Sequence, residues 1–397
     1  MKVCLVTTEF ISEEGDFDGG LANYVYKIAK YLIKDRHKVV VVLQSDTDEN
    51  FVYEDIPVFK VKVNLNNKIY KFIKRLTKLK ESLDWLLSSY VLNNKLKKLQ
   101  IQENFDLIHY SSFRGIGFFR LRNVPVLVRI SSYHPYINEV MGVKPRSLED
   151  RLMFFLESKA YKKADIVIGA NEKINQKIEE ITKRKVLLVE QLCDFVKDEN
   201  LVIAEEFSFL RDKKYFLFIG KMNKCKGSNL IAEIIYELLN KYKDLYFVFA
   251  GKDAGYKNLI IENAKEYKDR LVFVGRLRKD QLNPIIKQAY AVVIPSKNDN
   301  FPNTAIEAMS LKRIVVGTYS SGFPQVIDNN VNGYLINDDS SIELMKALDS
   351  LLSLDKIQKE SMEVEAFKSI SRLNPENIVK ATLNAYNSAI EDFKKTL

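Results

Sequence analysis

Short apolar runs alternate with stretches of helical period along the whole chain, the pattern of parallel sheets covered by helices. Residues 2–7 predict a first strand. Leu21, Tyr24, Val25, Ile28, Ala29 and Leu32 then repeat at helical spacing, and residues 38–43 return as a second strand, which completes one βαβ unit. Further strands are predicted at 57–63, 107–110, 124–130, 166–168 and 185–189. A second series follows at 215–219, 245–250, 271–274, 291–294 and 314–317. Between the two series, residues 194–214 are mixed in charge and weakly periodic, so the domain crossing is placed there. The expectation is an α/β protein of two Rossmann-like, doubly wound parallel-sheet domains, 1–195 and 196–374, facing a central cleft. A last helix over 375–397, with Ile378, Ala381, Leu383, Ala385 and Ala389 on its apolar side, is expected to pack back toward the first domain.

Composition narrows the class. With 397 residues, 46% hydrophobic and 28% charged, the chain has the balance of ordinary globular protein and enough length for two or three cores. Cys4, Cys193 and Cys225 stand far apart without a CxxC, and His37, His109 and His134 show no ligand spacing. Neither a disulfide framework nor a metal site is signalled. The first apolar run, residues 3–6, is too short for a secretory signal, and no stretch reaches the roughly 18 apolar residues of a spanning helix. A cytoplasmic protein is expected, with any membrane contact peripheral and on the inner face.

Charge adds one local feature. Lys and Arg number 61 against 52 Asp and Glu, a net +9. Residues 60–80 contain Lys60, Lys62, Lys68, Lys71, Lys74, Arg75, Lys78 and Lys80 and no acid. Ile69, Phe72, Ile73, Leu76, Leu79, Leu83, Leu86 and Leu87 repeat beside these cations, with Trp85 among them, so residues 60–87 form a basic amphipathic segment. Two readings stay open: an apolar stripe packed on the first sheet with its lysines in water, or a contact with an anionic membrane surface. Nucleic acid is not indicated, because no recognised binding motif accompanies the run.

Two loops carry candidate chemistry. Gly220-Lys221-Met222-Asn223-Lys224-Cys225-Lys226-Gly227 follows a strand and precedes a helix starting near Ser228, so Lys221 and Lys226 can meet a diphosphate beside a helix N-terminus. It is no Walker loop, since GxxxxGK[ST] is absent. The second stretch runs from Pro295 to Met309. Asp299, Asn300 and Phe301 lie in its loop, while Asn303, Thr304 and Glu307 open a helix. The two carboxylates stand eight positions apart, suited to the hydroxyls of one elongated ligand, and the helix start can hold an anion between them. Solvated lysines and surface carboxylates are the plainer alternative for both loops.

These two loops, in this order and spacing, resemble the donor half of the retaining glycosyltransferases of the GT-B fold, glycosyltransferase family 4. Gly251 after its strand, Val272-Phe273-Val274-Gly275-Arg276, Gly322-Phe323-Pro324-Gln325-Val326-Ile327 and Asn332-Gly333-Tyr334-Leu335 are similar to the same domain. Gly19-Gly20, Arg36-His37-Lys38-Val39, Phe105-Asp106-Leu107-Ile108-His109 and Ala164-Asp165-Ile166-Val167-Ile168 resemble its partner domain more loosely.

The resemblance implies a transferase that uses a nucleotide diphosphate sugar, a UDP-sugar first; with Lys221, Lys226 and helix N–H groups to meet the diphosphate and no DxD-type acidic pair positioned to demand an ion, no metal or other cofactor is expected. Its acceptor would be a glycan or a lipid-linked sugar in surface polysaccharide assembly. Lys221 and Lys226 would take the diphosphate, Glu307 the ribose, residues 299–303 the sugar and phosphate, Arg276 the nucleotide, and Gly19 and Gly20 would close on the donor. Where the family carries Glu-x7-Glu this chain has Asp299-x7-Glu307. Where many members carry a histidine after the strand at 124–130 it has Ser131, with His134 three residues on, from a loop, as the candidate polar group near the donor sugar or acceptor. His109 reads as structural and His37 as a turn residue. A non-catalytic nucleotide-sugar-binding protein or partner subunit, and a sugar-nucleotide epimerase, are the competing readings.

Overall fold

A computed structural model describes residues 1–11, 19–66, 68–77, 79–131, 133–140, 147–195, 201–297, 299–320 and 322–396. Lys78, Asn298 and the side chain of Ile69 lie outside the described residues. The chain divides into two compact units, Met1–Leu192 with Pro375–Leu397, and Cys193–Asn374.

In the first unit the chain runs β1 (Lys2–Thr7), α1 (Gly20–Lys34), β2 (Lys38–Ser45), β3 (Asn50–Tyr53), β4 (Ile56–Lys62), α2 (Lys68–Thr77), α3 (Glu81–Glu103) and β5 (Leu107–Ser111). It continues through β6 (Val126–Ile130), α4 (His134–Val140), α5 (Leu148–Lys163), β7 (Ile166–Gly169), α6 (Glu172–Thr182) and β8 (Val186–Leu188). The strands form one sheet in the order β3-β4-β2-β1-β5-β6-β7-β8. All neighbours are parallel except β3 and β4, a hairpin closed by Glu54 and Asp55, both at positive φ. No strand is predicted from the sequence at β3. Its residues alternate between half-buried and exposed at a sheet edge, so it lacks the continuous apolar run that marks the buried strands.

One sheet face meets α3, α5 and α6 through Cys4, Val40, Ile108, Tyr110, Val128, Leu92, Leu96, Tyr161 and Ile174. Two buried polar groups of α3 are paired: Tyr110 donates to Asn93 Oδ1 at 2.6 Å, and Ser89 Oγ to the Ile116 carbonyl at 2.8 Å. The basic stretch departs from the expectation of one amphipathic segment packed on the sheet. It divides into the end of β4, α2 and the start of α3, and in α2 Phe72, Ile73 and Leu76 are exposed. Trp85, on α3, is buried. The cause is a partner on the next helix: Tyr70 and Lys74 bond to Asp84 of α3, which turns the polar side of α2 inward.

The second unit continues with β9 (Lys214–Ile219), α7 (Ser228–Lys241), β10 (Leu245–Ala250), α8 (Lys257–Ala264), β11 (Leu271–Gly275), α9 (Lys279–Gln288), β12 (Ala291–Val293), α10 (Asn303–Ser310), β13 (Val315–Thr318) and β14 (Tyr334–Ile336). Helices α11 (Ser341–Ser353) and α12 (Lys356–Ile370) follow. Its six strands are parallel, in the order β11-β10-β9-β12-β13-β14. Phe216, Phe218, Phe247 and Phe249 are fully buried, and the stacked rings of Phe247 and Phe249 stand 4.9 Å apart. The strand order reverses between β9 and β12, and in open sheets of this kind ligands bind at the carboxyl ends beside such a reversal.

Helix α13 (Pro375–Thr396) belongs to the first unit and lies with α1 on the face opposite α3. Its Tyr386 hydroxyl is 2.8 Å from His109 Nδ1, both groups buried. Burial pushes the His109 imidazole down to about 3, so the folded unit holds the ring neutral. The unfolded chain takes up that proton below the ordinary value of about 6.5. His109 therefore leaves stability intact above that value and subtracts from it as pH falls toward 3. Trp85, the one tryptophan of the chain, lies in this unit and reports its unfolding. His109→Asn should weaken the acid dependence of that signal below pH about 6.5, whereas an acid branch identical to wild type would contradict the account.

Candidate functional site

The loops after β9, β12 and β13 meet at the reversal of the second sheet. After β9 the chain turns through residues 220–227. Asn223 Oδ1 accepts from the Lys226 N–H at 2.9 Å and holds a short turn, and Gly227 then caps α7. Gly227 has φ +75°, and a Cβ there would stand 2.0 Å from the Pro295 carbonyl oxygen. Only glycine permits that approach. Gly251, after β10, is equally constrained, because its Cβ would fall 1.9 Å from the Gly220 carbonyl oxygen.

Hydrogen bonds then join the loops. The Cys225 carbonyl accepts from the Lys297 N–H at 2.9 Å and from the Ser296 hydroxyl at 3.2 Å. The Thr318 hydroxyl donates to the Ser296 carbonyl at 2.5 Å, and the Gly322 N–H to the Asp299 carbonyl at 2.9 Å. Backbone pairing therefore positions the loop of Asp299 from both sides.

On this frame Lys226 Nζ donates to Asp299 Oδ1 at 2.6 Å, uniting side chains 73 positions apart. The pair is 29% and 22% exposed, open to water and to a ligand. Glu307, in the second turn of α10, forms an ion pair with Lys279 Nζ at 3.1 Å. Lys279 opens α9 and is absent from the sequence-based site. Its signal was the basic run Arg276-Leu277-Arg278-Lys279 behind Gly275, of which only Arg276 stood out. Lys221 and Arg276 are exposed at the ends of β9 and β11, and Asn300, Asn303 and Thr304 are half-buried at the start of α10. The Phe301 side chain is buried at the end of the Asp299 loop.

Neither α7 nor α10 carries an acid in its first turn, and their N-terminal N–H groups leave positive potential near the lysines. Lys297 is paired with Asp339. The arrangement can hold an anion at the strand ends and offer Asp299 and Glu307 to hydroxyls. Among the described residues, no group of three or more His, Cys, Asp or Glu is placed to hold a metal ion.

The remaining candidates belong to the first unit. Gly19 caps α1, and its carbonyl accepts from the Asn23 backbone and side chain, each at 3.1 Å. Gly20 is the first residue of that helix. Gly19 lies close to Glu9, since a Cβ on it would stand 3.1 Å from Glu9 Oε2. His134, expected in a loop, instead opens α4. Its backbone N–H and its Nδ1 each lie 3.3 Å from an oxygen of Glu157, which is fully buried. The ring centre is 5.3 Å from that of Trp85. The hydrogen bond to Glu157 raises the His134 imidazole, and burial raises the Glu157 carboxyl. Glu157 was invisible in the sequence because it stands inside a helix with no motif around it.

Two outcomes follow from this geometry. Gly227→Ala should cost the second unit about 2 kcal/mol or more, because the left-handed penalty adds to a clash with backbone; an unfolding midpoint equal to wild type would contradict it. In a proton NMR titration the His134 ring should protonate above the ordinary imidazole value of about 6.5 and fall back in Glu157→Gln; an unshifted midpoint in wild type would remove the pairing.

Residues 202–368 match the family described as glycosyl transferases group 1, and residues 18–189 match glycosyltransferase family 4. An uncharacterised glycosyltransferase of Methanocaldococcus jannaschii is 25% identical, covering 98% of this chain and 99% of that protein. The gpi3 subunit of phosphatidylinositol N-acetylglucosaminyltransferase from Schizosaccharomyces pombe is 21% identical, over 93% of this chain and 78% of its own length. HepE of Anabaena, solved with UDP and glucose, superposes with a TM-score of 0.70 at 16% identity, over 98% of this chain and all of the other. Those two family matches and the two parallel sheets agree: the chain belongs to the glycosyltransferases of the GT-B fold, family 4.

Proposed function

We propose that this glycosyltransferase is a retaining, metal-independent enzyme that moves a hexosyl group from a UDP-sugar to a glycan or lipid-linked acceptor in surface polysaccharide assembly. The observation that carries the reading is the Lys226–Asp299 contact at the reversal of the second sheet. It sets a cation for a diphosphate beside a carboxylate for a sugar hydroxyl. The likeness in fold to a protein solved with UDP and glucose, and a relative named for transfer to phosphatidylinositol, support the donor and the acceptor class.

On donor binding Lys226 exchanges Asp299 for the diphosphate, where Lys221 and the N–H groups of α7 add positive potential. Asp299 is then released to accept from the sugar, and Glu307 turns from Lys279 to the ribose hydroxyls. In the reaction the bond from the anomeric carbon to the diphosphate oxygen breaks. The acceptor oxygen bonds to that carbon from the same face, and its proton passes to the departing phosphate oxygen. Charge grows on the leaving group, so cations already in place stabilise the transition state more than the ground state.

Charge-assisted hydrogen bonds of this type contribute about 1.5–3 kcal/mol each. Lys226→Ala and Glu307→Ala should therefore weaken UDP binding roughly 10- to 100-fold, read by calorimetry, with folding retained. Unchanged affinity in both would displace the donor site. Product formed from an α-linked donor should carry an α-linkage in proton NMR, and exhaustive treatment with EDTA should leave the rate unchanged. A β-linked product, or activity restored only by a divalent ion, would contradict the corresponding part of the reading.

A further inference from the structure

Helix α2 presents the side that a surface helix normally hides. Tyr70 donates to Asp84 Oδ1 at 2.5 Å, and Lys74 Nζ donates to both oxygens of the same carboxylate at 2.8 Å. At 100° per residue, positions 70 and 74 share one side of the helix, positions 72 and 76 lie opposite, and position 73 extends that arc along one flank. There Phe72, Ile73 and Leu76 are 61%, 43% and 66% exposed. The exposed Lys68 and Arg75 border that arc on its other flank, the exposed Lys71 lies further round on the same flank as these two, and the helix contains no acid. A buried-face helix gains stability from its apolar side; this one is held by its polar side, and Phe72 and Leu76 stand mostly outside the unit's core.

A neighbouring element has the same character. Glu149, in the first turn of α5, accepts from the N–H groups of Lys80, Glu81 and Ser82, which ties α5 to the start of α3 directly after α2. On α5, Leu148 and Phe155 are 70% and 48% exposed, and Lys159 Nζ stands 5.5 Å from the Phe155 ring centre. Exposed apolar side chains beside cations thus lie on both elements joined to the start of α3.

We propose that α2 is an interfacial anchor that lays Phe72, Ile73 and Leu76 into the surface of an anionic bilayer, with Lys68, Lys71 and Arg75 at the lipid phosphates. Charge complementarity selects this occupant. An acid-free helix with an outward apolar arc and a rim of cations matches the boundary between headgroups and acyl chains, where both terms act together. A single ten-residue helix gives reversible attachment, consistent with a chain in which no helix among the described residues is long and apolar enough to cross a membrane. The proposal goes beyond the donor reading and does not depend on it, because every group involved belongs to the first unit.

Flotation of the full chain with vesicles of phosphatidylcholine alone, and of phosphatidylcholine with phosphatidylglycerol, tests it. The protein should float with the anionic vesicles only and be released by high salt. Phe72→Ser with Leu76→Ser, and separately Lys71→Glu with Arg75→Glu, should each lower vesicle affinity at least about tenfold, since each removes two of the side chains that meet the bilayer. Unchanged Trp85 emission in the variants shows that the unit remains folded. Failure to float with anionic vesicles, equal flotation with neutral ones, or full binding retained by both double variants would overturn the proposal.

Discussion

At Gly227 the chain leaves a tight turn in a left-handed conformation, with the Pro295 carbonyl where any other residue would carry a Cβ. That close approach brings the loop after β9 against the loop after β12, and the hydrogen bonds from Lys297 and Ser296 to the Cys225 carbonyl secure it. Only on this frame do Lys226 and Asp299 come within 2.6 Å. The chemistry of the second unit therefore rests on a backbone contact in which neither charged residue takes part.

The charges of the site compensate one another. Lys226 faces Asp299 and Lys279 faces Glu307, so each carboxylate assigned to a hydroxyl is held by a lysine. Pairs this exposed contribute little to stability, because water screens them. Under the proposed function they exchange for a ligand that presents phosphate to the cations and hydroxyls to the acids. Lys221, the basic run behind Gly275 and two acid-free helix starts leave the site net positive around those pairs.

Much of the fold is legible in the sequence where burial is two-sided. β1, β5 and β10 occur where unbroken apolar runs place them, to within one residue. β3 and β14 escape that reading because one alternates at a half-exposed edge and the other spans three residues. In the candidate site, the sequence points to Lys226, Asp299 and Glu307 because two loops at fixed separation carry them, while Lys279 lies in a charge run with no marker. Glu157 and the outward turn of α2 were hidden for a common reason. Each is decided by a distant partner, His134 for one and Asp84 for the other, and no local period encodes such a choice.

A crystal structure of the full chain with UDP tests the central claim most directly. The account predicts the diphosphate beside the α7 N-terminus, Lys226 moved from Asp299 to a phosphate oxygen, and Glu307 on the ribose. A nucleotide bound elsewhere, with the Lys226–Asp299 pair intact, would contradict it.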